Sequence, residues 1–322
     1  IKFYDPTSGE STGYRYADSQ GLNVWEKGQV SLLRDVTSTH ITTGAVSGTD
    51  HQHANQHIRT IQWNGTQGIL LHDGHDIDKI AADGTVTHFV DYNTGTAEPV
   101  YAMCDDGVYA YWVTNAPLSG TPILHMYKKL ITTTIPSPMF TANSITIVYA
   151  SMEFVKDRII LCVNNAVYEV APNATSLPTA VYTNPNTNYH YTSIAASGPA
   201  IYTAGHSGIY STIQKYTLNT SGVMPTLTQS SVAAEFPPGE VVEKLYYYLQ
   251  YMVIGTSKGV RIGIVNDQDG SIGYGPLIVE TSQPVYDCVA RDRFVWSTTG
   301  IGSLDAGLTG IDLSTSLEGE SL

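Results

Sequence analysis

The chain has 322 residues, room for one large domain or two ordinary ones, and 42% of them are hydrophobic against only 14% charged. Soluble domains carry roughly 25% charged residues, so a charge-rich disordered tail and a long solvent-facing helix are both excluded; Thr, Ser, Asn, Gly and Tyr in their place point to short strands and polar turns. Sixteen basic against 29 acidic residues leave a net charge of -13, which offers a phosphate backbone no broad positive surface, so no nucleic-acid partner is expected.

Residues 1–20, with Pro6, Gly9 and Gly13 among Ser and Thr, read as an irregular N-terminal segment or linker. The chain starts at Ile1, as a window on a longer protein would. Leu22-Asn23-Val24-Trp25 and Gln29-Val30-Ser31-Leu32-Leu33 then form a hairpin around Glu26-Lys27-Gly28. The first complete unit follows, with strands over Ile58 to Trp63, Gly68 to His72, Asp76 to Ala81 and Thr85 to Val90, turning at Asn64-Gly65 and Asp83-Gly84.

Its opening hairpin comes back five times. Val100 to Cys104 turns at Asp105-Asp106-Gly107 into Val108 to Trp112, and Met152 to Val155 turns at Lys156-Asp157 into Ile159 to Val163. Ser193 to Ala196 turns at Ser197-Gly198 into Ala200 to Thr203, and Val241 to Tyr248 turns near Gln250 into Tyr251 to Ile254. Asp287 to Ala290 turns at Arg291-Asp292 into Arg293 to Trp296. Steps of about 40 to 50 residues, with both strands of each hairpin almost continuously apolar, predict the four-stranded blades of a β-propeller over residues 21–322, six or seven in number. Inner blade strands are apolar throughout because each blade lies between two others. The N- and C-terminal strands, Leu22 to Leu33 beside Phe294 to Leu313, would close the ring and remove two sheet edges.

The chemistry-bearing residues give no established motif. Cys104, Cys162 and Cys288 are widely spaced in apolar strands and read as buried free thiols. His51, His53 and His57, and the pair His72 and His75, sit in polar loops and turns and read as solvated. Asp76 to Asp78 and Asn266-Asp267-Gln268-Asp269-Gly270 look like calcium loops, but the twelfth residue from Asp267 is Ile278 where a glutamate is needed. No metal and no cofactor is expected. No run of 18 apolar residues is present, so no membrane insertion is expected either. Glycoside hydrolysis would need two carboxylates about 5 to 9.5 Å apart across a sugar, and Glu98, Glu153, Glu240, Glu243 and Asp287 are the acids at inner-strand starts. Trp112 and Trp296 end matching strands and read as packing between blades. Tyr189, Tyr191, Tyr246, Tyr248 and Tyr251 are the candidate surface-binding residues, since tyrosine is rigid and amphipathic and stacks on sugars or proteins.

Two segments add a family resemblance. Gly21 to Leu33 and Gly307 to Thr315, with Leu317-Glu318, resemble parts of the minor tail proteins of long-tailed bacteriophages, especially phages of actinobacteria. The resemblance implies a structural component of a virion, at the tail tip or in a tail fibre and extracellular when assembled. Its partners would be other tail or baseplate proteins and a host cell-surface glycan. Neither segment is catalytic, so no site residue follows from it. Homo-oligomeric or fibre-like assembly would come from regions outside these residues, because no heptad stalk or collagen-like repeat is present. The alternative is a carbohydrate-active propeller enzyme acting on host glycan, and binding without catalysis is the preferred reading.

Overall fold

The structure is a computed structural model. It describes residues 58–63, 66–72, 77–81, 85–90, 99–116, 122–132, 137–219, 222–227, 229–248, 250–282, 284–285, 287–290, 294–297, 301–304 and 310–312, and four short strands in the first 32 residues. Those four are β1 (Lys2–Tyr4) paired with β2 (Arg15–Asp18), and β3 (Leu22–Asn23) paired with β4 (Ser31–Leu32). The first pair lies in the segment expected to be irregular; Phe3, Tyr4 and Tyr16 supply the strand propensity that its Gly and Pro content masks. The second pair is a sheet of its own, and the rest of the predicted closing hairpin lies outside the described residues.

Six sheets follow, each an antiparallel meander in chain order. The first holds β5 (Ile58–Trp63), β6 (Thr66–His72), β7 (Ile77–Ala81) and β8 (Val86–Val90). The second holds β9 (Val100–Asp105), β10 (Tyr109–Ala116), β11 (Ile123–Leu130) and β12 (Ser137–Asn143). β13 (Ala150–Val155), β14 (Arg158–Val163), β15 (Ala166–Val170) and β16 (Tyr182–Thr183) make the third, and β17 (His190–Ser197), β18 (Ala200–Ser207), β19 (Tyr210–Thr217) and β20 (Ser231–Glu235) the fourth. The fifth is β21 (Val242–Tyr248), β22 (Tyr251–Thr256), β23 (Gly259–Val265) and β24 (Ile272–Tyr274), with β25 (Val279–Glu280) also on β23. The sixth is β26 (Asp287–Ala290), β27 (Phe294–Ser297), β28 (Ile301–Leu304) and β29 (Gly310–Asp312). First strands touch from sheet to sheet, β5 to β9, β9 to β13, β13 to β17, β17 to β21 and β21 to β26. Among the described residues this is a β-propeller of six blades, four-stranded but for β25 added to the fifth, without a helix.

The core consists of the seams between blades. In blade two, Ala110 and Trp112 pack toward blade one with Leu70, Ile77 and Phe89, while Tyr111 and Val113 pack toward blade three with Met152, Ile159 and Leu161. Blade three repeats the division, Ile160 and Cys162 joining Tyr191 and Ile201 of blade four. Tyr202 and Ala204 of blade four meet Met252 and Ile254 of blade five, whose Val253 reaches Val285 beyond. Alternation sends successive residues to opposite seams, so an apolar residue is needed at every position. Trp112 is fully buried against Phe89 and stacks on Tyr127 at 5.6 Å, the packing role predicted for it.

Among the described residues turns fall close to where predicted, while Asn64-Gly65, Asp83-Gly84 and Arg291-Asp292 lie outside them. Asp106 accepts hydrogen bonds from the Val108 and Tyr109 amides, and Gly107 supplies a φ of 84°. Lys156 and Asp157 both take positive φ, the form that matches strand twist in a two-residue hairpin. Cys104 and Cys162 are buried thiols outside any disulfide; Cys104 is on an inner strand, as is Cys288. Met103 pairs with Trp112 just as Cys288 pairs with Trp296, which puts Cys104 one step on from the Cys288 position, as expected.

One feature of the inner strands carries no sequence signal. β9, β17 and β21 each hold one extra residue near the start, Tyr101, Thr192 and Glu243. Such bulges re-aim the side chains before them. Thr192 ties its bulge to the next blade, donating to the Val242 carbonyl at 2.7 Å.

Lys129 of β11 is buried, its ammonium donating to the Phe89 carbonyl and lying 4.0 Å from the centre of the Phe89 ring. Burial, with the nearby charge of Lys79 adding, pulls its pKa from 10.5 down to about 8. Below pH 8 the amine is charged folded or unfolded, and the folded state carries the full desolvation penalty. Between about 8 and 10.5 only the unfolded chain stays charged, so stability rises with pH. The midpoint of thermal unfolding should therefore rise from pH 7.5 to 8.5, below the range where the buried Cys162 thiol and the tyrosines ionise in the unfolded chain. Lys129→Met should remove that rise, and an identical slope in wild type and variant would refute the assignment.

Candidate functional site

Each inner strand starts at one rim of the disc and turns back at the other, which places the loops before β13, β17 and β21 and the turn β18–β19 on a single rim. On that rim Asn164, in the left-handed conformation at φ 51°, organises the loop leading into β13. Its side-chain oxygen accepts from the amides of Val148 and Tyr149, at 2.8 and 3.2 Å, and its side-chain nitrogen donates to the Thr146 carbonyl. Its own amide donates to the Tyr149 carbonyl, and its carbonyl accepts from the Tyr191 amide in the next blade. Asparagine tolerates this backbone and has both the donor and the acceptor that the loop requires.

The Tyr149 ring, so held, stacks on His190 with centroids 4.4 Å apart, and His190 lies 6.1 Å from His206, its register partner across β17 and β18. Burial lowers the pKa of His190. Burial also lowers that of His206, with the His190 charge adding and a backbone hydrogen bond at Gly208 opposing. Both rings are therefore neutral at pH 7. Around them the rim exposes Val148, Ile209 and Tyr210, each more than half accessible. Neither histidine carried a sequence signal, since sixteen residues separate them and only the register joins them.

The five tyrosines expected at the surface do not assemble. Tyr189 and Tyr191 are buried, which corrects the expectation. Tyr189 covers Gly205, where a Cβ would come within 2.4 Å of its ring, and its hydroxyl meets Thr212 at 2.8 Å. Tyr191 donates to Gln214 at 2.8 Å in the seam with blade three, and burial, then the neighbouring Tyr216, raises its pKa strongly. Tyr246 is half-buried against Val253 and Val260. Tyr248 and Tyr251 close the β21–β22 hairpin on the opposite rim, with Tyr251 exposed.

The acids are also dispersed. Glu240 is buried and its two oxygens accept from Arg261 at 2.7 and 2.8 Å, while Arg261 donates again to the Gly275 carbonyl and lies over the Tyr274 ring. Burial works to raise the Glu240 pKa, but hydrogen bonds from Arg261 and Thr256 and the charges of Arg261 and Lys258 outweigh it, so the net shift is downward. Glu240 is thus a structural anion, held in an ion pair within the fold. Glu243, the bulged residue, has its pKa raised by burial. Glu153 is half-buried on β13, and Glu98 and the side chain of Asp287 lie outside the described residues, as do His51, His53, His57, His75 and the His72 side chain.

The acidic loop 266–271 spends its oxygens on itself. Asn266 caps the Gln268 amide, Asp269 accepts from both the amide and hydroxyl of Ser271, and Gly270 takes φ 68°. Lys215 donates to the Asp269 carbonyl across a cleft of about 170 Å³ between blades four and five, on the rim away from the histidines. Among the described residues no three His, Cys, Asp or Glu are grouped to hold a metal.

No protein-family model matches the chain, and no curated protein matches it. Solved structures do. A chain of the nidogen/laminin complex superposes with a TM-score of 0.52 at 10% identity, over 80% of this chain and 92% of that one. YCF48 bound to D1 peptide gives 0.55 at 10%, over 86% and 89%. A prolyl endopeptidase gives 0.56 at 11%, over 80% of this chain but 41% of its own. At such identities the likeness establishes the propeller and nothing of its use.

The Glu240–Arg261 pair fixes the loop between blades four and five. Glu240→Leu would leave the guanidinium without its carboxylate in a mostly dry setting, a loss of about 3–5 kcal/mol for breaking such a pair from one side. Chemical denaturation should show a large drop in midpoint for Glu240→Leu and a smaller one for Glu240→Gln, which keeps one hydrogen bond. Equal stability of all three proteins would contradict the structural role.

Proposed function

We propose that this propeller is a structural and host-attachment module of a bacteriophage tail, working by binding without catalysis. The tail assignment rests on the resemblance of residues 21–33 and 307–318 to minor tail proteins. What supports binding is the rim around blades three and four, where Val148, Ile209 and Tyr210 stand exposed beside the stacked Tyr149 and His190. Aromatic and aliphatic side chains held on short turns lose little entropy when covered, and tyrosine suits both a sugar face and a protein surface. A net charge of -13 repels an anionic envelope, so the binding energy must come from packing and neutral hydrogen bonds.

The test is retention of purified protein on host cells and on extracted envelope glycan, with released sugar followed at the same time. Retention should saturate, release no sugar, and hold or improve modestly from about 0.05 to 0.3 M salt as screening relieves the repulsion. Tyr210→Ala, on an exposed turn, should fold normally and lose about tenfold or more in affinity. Sugar release abolished by Glu243→Gln would favour the hydrolase reading, for which Glu243 is the acid with a raised pKa. Absence of both retention and release would leave a part buried among tail or baseplate proteins.

A further inference from the structure

We propose that His190 and His206 form a two-imidazole site for a first-row transition-metal ion of the zinc, nickel and copper class. The remaining coordination positions would be open to water or to an oxygen or nitrogen donor from outside. The proposal does not depend on the attachment reading.

The pair is a product of the bulge. From Ser197↔Ala200 back to Ser193↔Ala204 the register of β17 on β18 is regular, and an unbroken ladder would set Tyr191 opposite His206 and His190 opposite Ser207. The extra residue, Thr192, shifts the last two pairs to Tyr191↔Gly205 and His190↔His206. Residues directly opposite across a strand pair share a face with Cβ atoms about 4.5–5.5 Å apart, the spacing from which two imidazoles reach one ion. Two rings sharing a tetrahedral ion, at about 2.0–2.1 Å per nitrogen bond, have centroids roughly 5 Å apart. The observed 6.1 Å is about 1 Å longer, a gap for side-chain rotation of the two rings to close.

Each imidazole has a nitrogen waiting. The Nδ1 atoms of both His190 and His206 are shielded from solvent and have no hydrogen-bond partner. A shielded ring nitrogen left unpaired costs free energy, whichever tautomer is present, and a cation between the two lone pairs would satisfy both. Imidazole nitrogen is a borderline-soft donor that suits zinc, copper and nickel rather than calcium or magnesium. Both groups are neutral at pH 7, so a metal meets no proton to displace.

The surroundings hold the rings still. Tyr149 stacks on His190 and is positioned by Asn164, which also accepts from the Tyr191 amide beside His190. Nδ1 of His206, like Nδ1 of its register partner His190, is left without a partner inside the fold. No carboxylate or thiol from the described residues joins them, and two nitrogens alone give an open, exchangeable site.

The probes are nickel, zinc and copper(II) salts, titrated into the purified chain at pH 7.5 by calorimetry, with the copper complex read by electron paramagnetic resonance. One saturable equivalent should bind per chain, with two equatorial nitrogens in the copper spectrum. His190→Asn and His206→Asn should each weaken binding at least tenfold and remove one nitrogen. The double substitution His51→Asn with His53→Asn should leave that equivalent intact. Unfolding curves of the metal-free variants, close to that of wild type, would separate loss of a ligand from loss of fold. Failure to saturate at millimolar metal, or full binding in His206→Asn, would overturn the proposal.

Discussion

The inner hairpins β9–β10, β13–β14, β17–β18 and β21–β22 lie between neighbouring blades and must be dry on both faces, and most of the described structure follows from that requirement. A sheet with one wet face needs an apolar residue at every second position; a blade held between two others needs one at every position. Tyr111, Trp112 and Val113 show the consequence, three successive residues fully buried in two different seams. Removing any blade would expose the seams on both sides of it. The blades therefore stabilise one another in sequence, each through the seams it shares with its neighbours.

The same requirement decides where polar groups go. Inside the seams an unpaired polar group is costly, and Tyr191 with Gln214 and Tyr216, or Ser193 accepting from the Leu245 amide, are pairings that meet that cost, while the hydroxyls of Ser151 and Thr203 stay buried without a hydrogen-bond partner. Ser211 both donates to the Gly205 carbonyl and accepts from the Val242 amide, joining the second strand of one blade to the first of the next. Charges are rarer, and each is accommodated individually. Glu240 is neutralised by Arg261, and Lys129 is left as a weakened base over the Phe89 ring. Side chains free to meet other molecules stand on the outer strands, as Val232 and Ile264 do, and on the rims, as on the loop held by Asn164 and the turn bearing Ile209 and Tyr210.

The blades were legible because their signals are local. An apolar run, a turn pair and a second apolar run lie within about 15 residues; Lys156-Asp157 and Gln250 fall at turns, and the turn expected at Ser197-Gly198 lies one residue on, at Gly198-Pro199. The site was not legible, because what builds it is register. Tyr189 and Tyr191 look like exposed aromatics next to a polar loop, yet Gly205, fourteen residues past Tyr191, opens the space that buries Tyr189. Glu240 sits in a Pro-Gly loop that suggests solvent, and its partner is 21 residues on. The Thr192 bulge, which no composition announces, sets His190 against His206. Within one chain, then, packing is written in neighbours and chemistry in distant pairs.

Amide hydrogen exchange of the native protein, resolved by peptide, tests most directly whether the doubly buried hairpins carry the fold. The slowest exchange should fall on β9–β10, β13–β14, β17–β18 and β21–β22 together, with a common opening free energy, while the outer strands β16, β20 and β24 exchange faster and independently. One blade exchanging as a unit well ahead of its neighbours, or outer strands as protected as inner ones, would contradict the account.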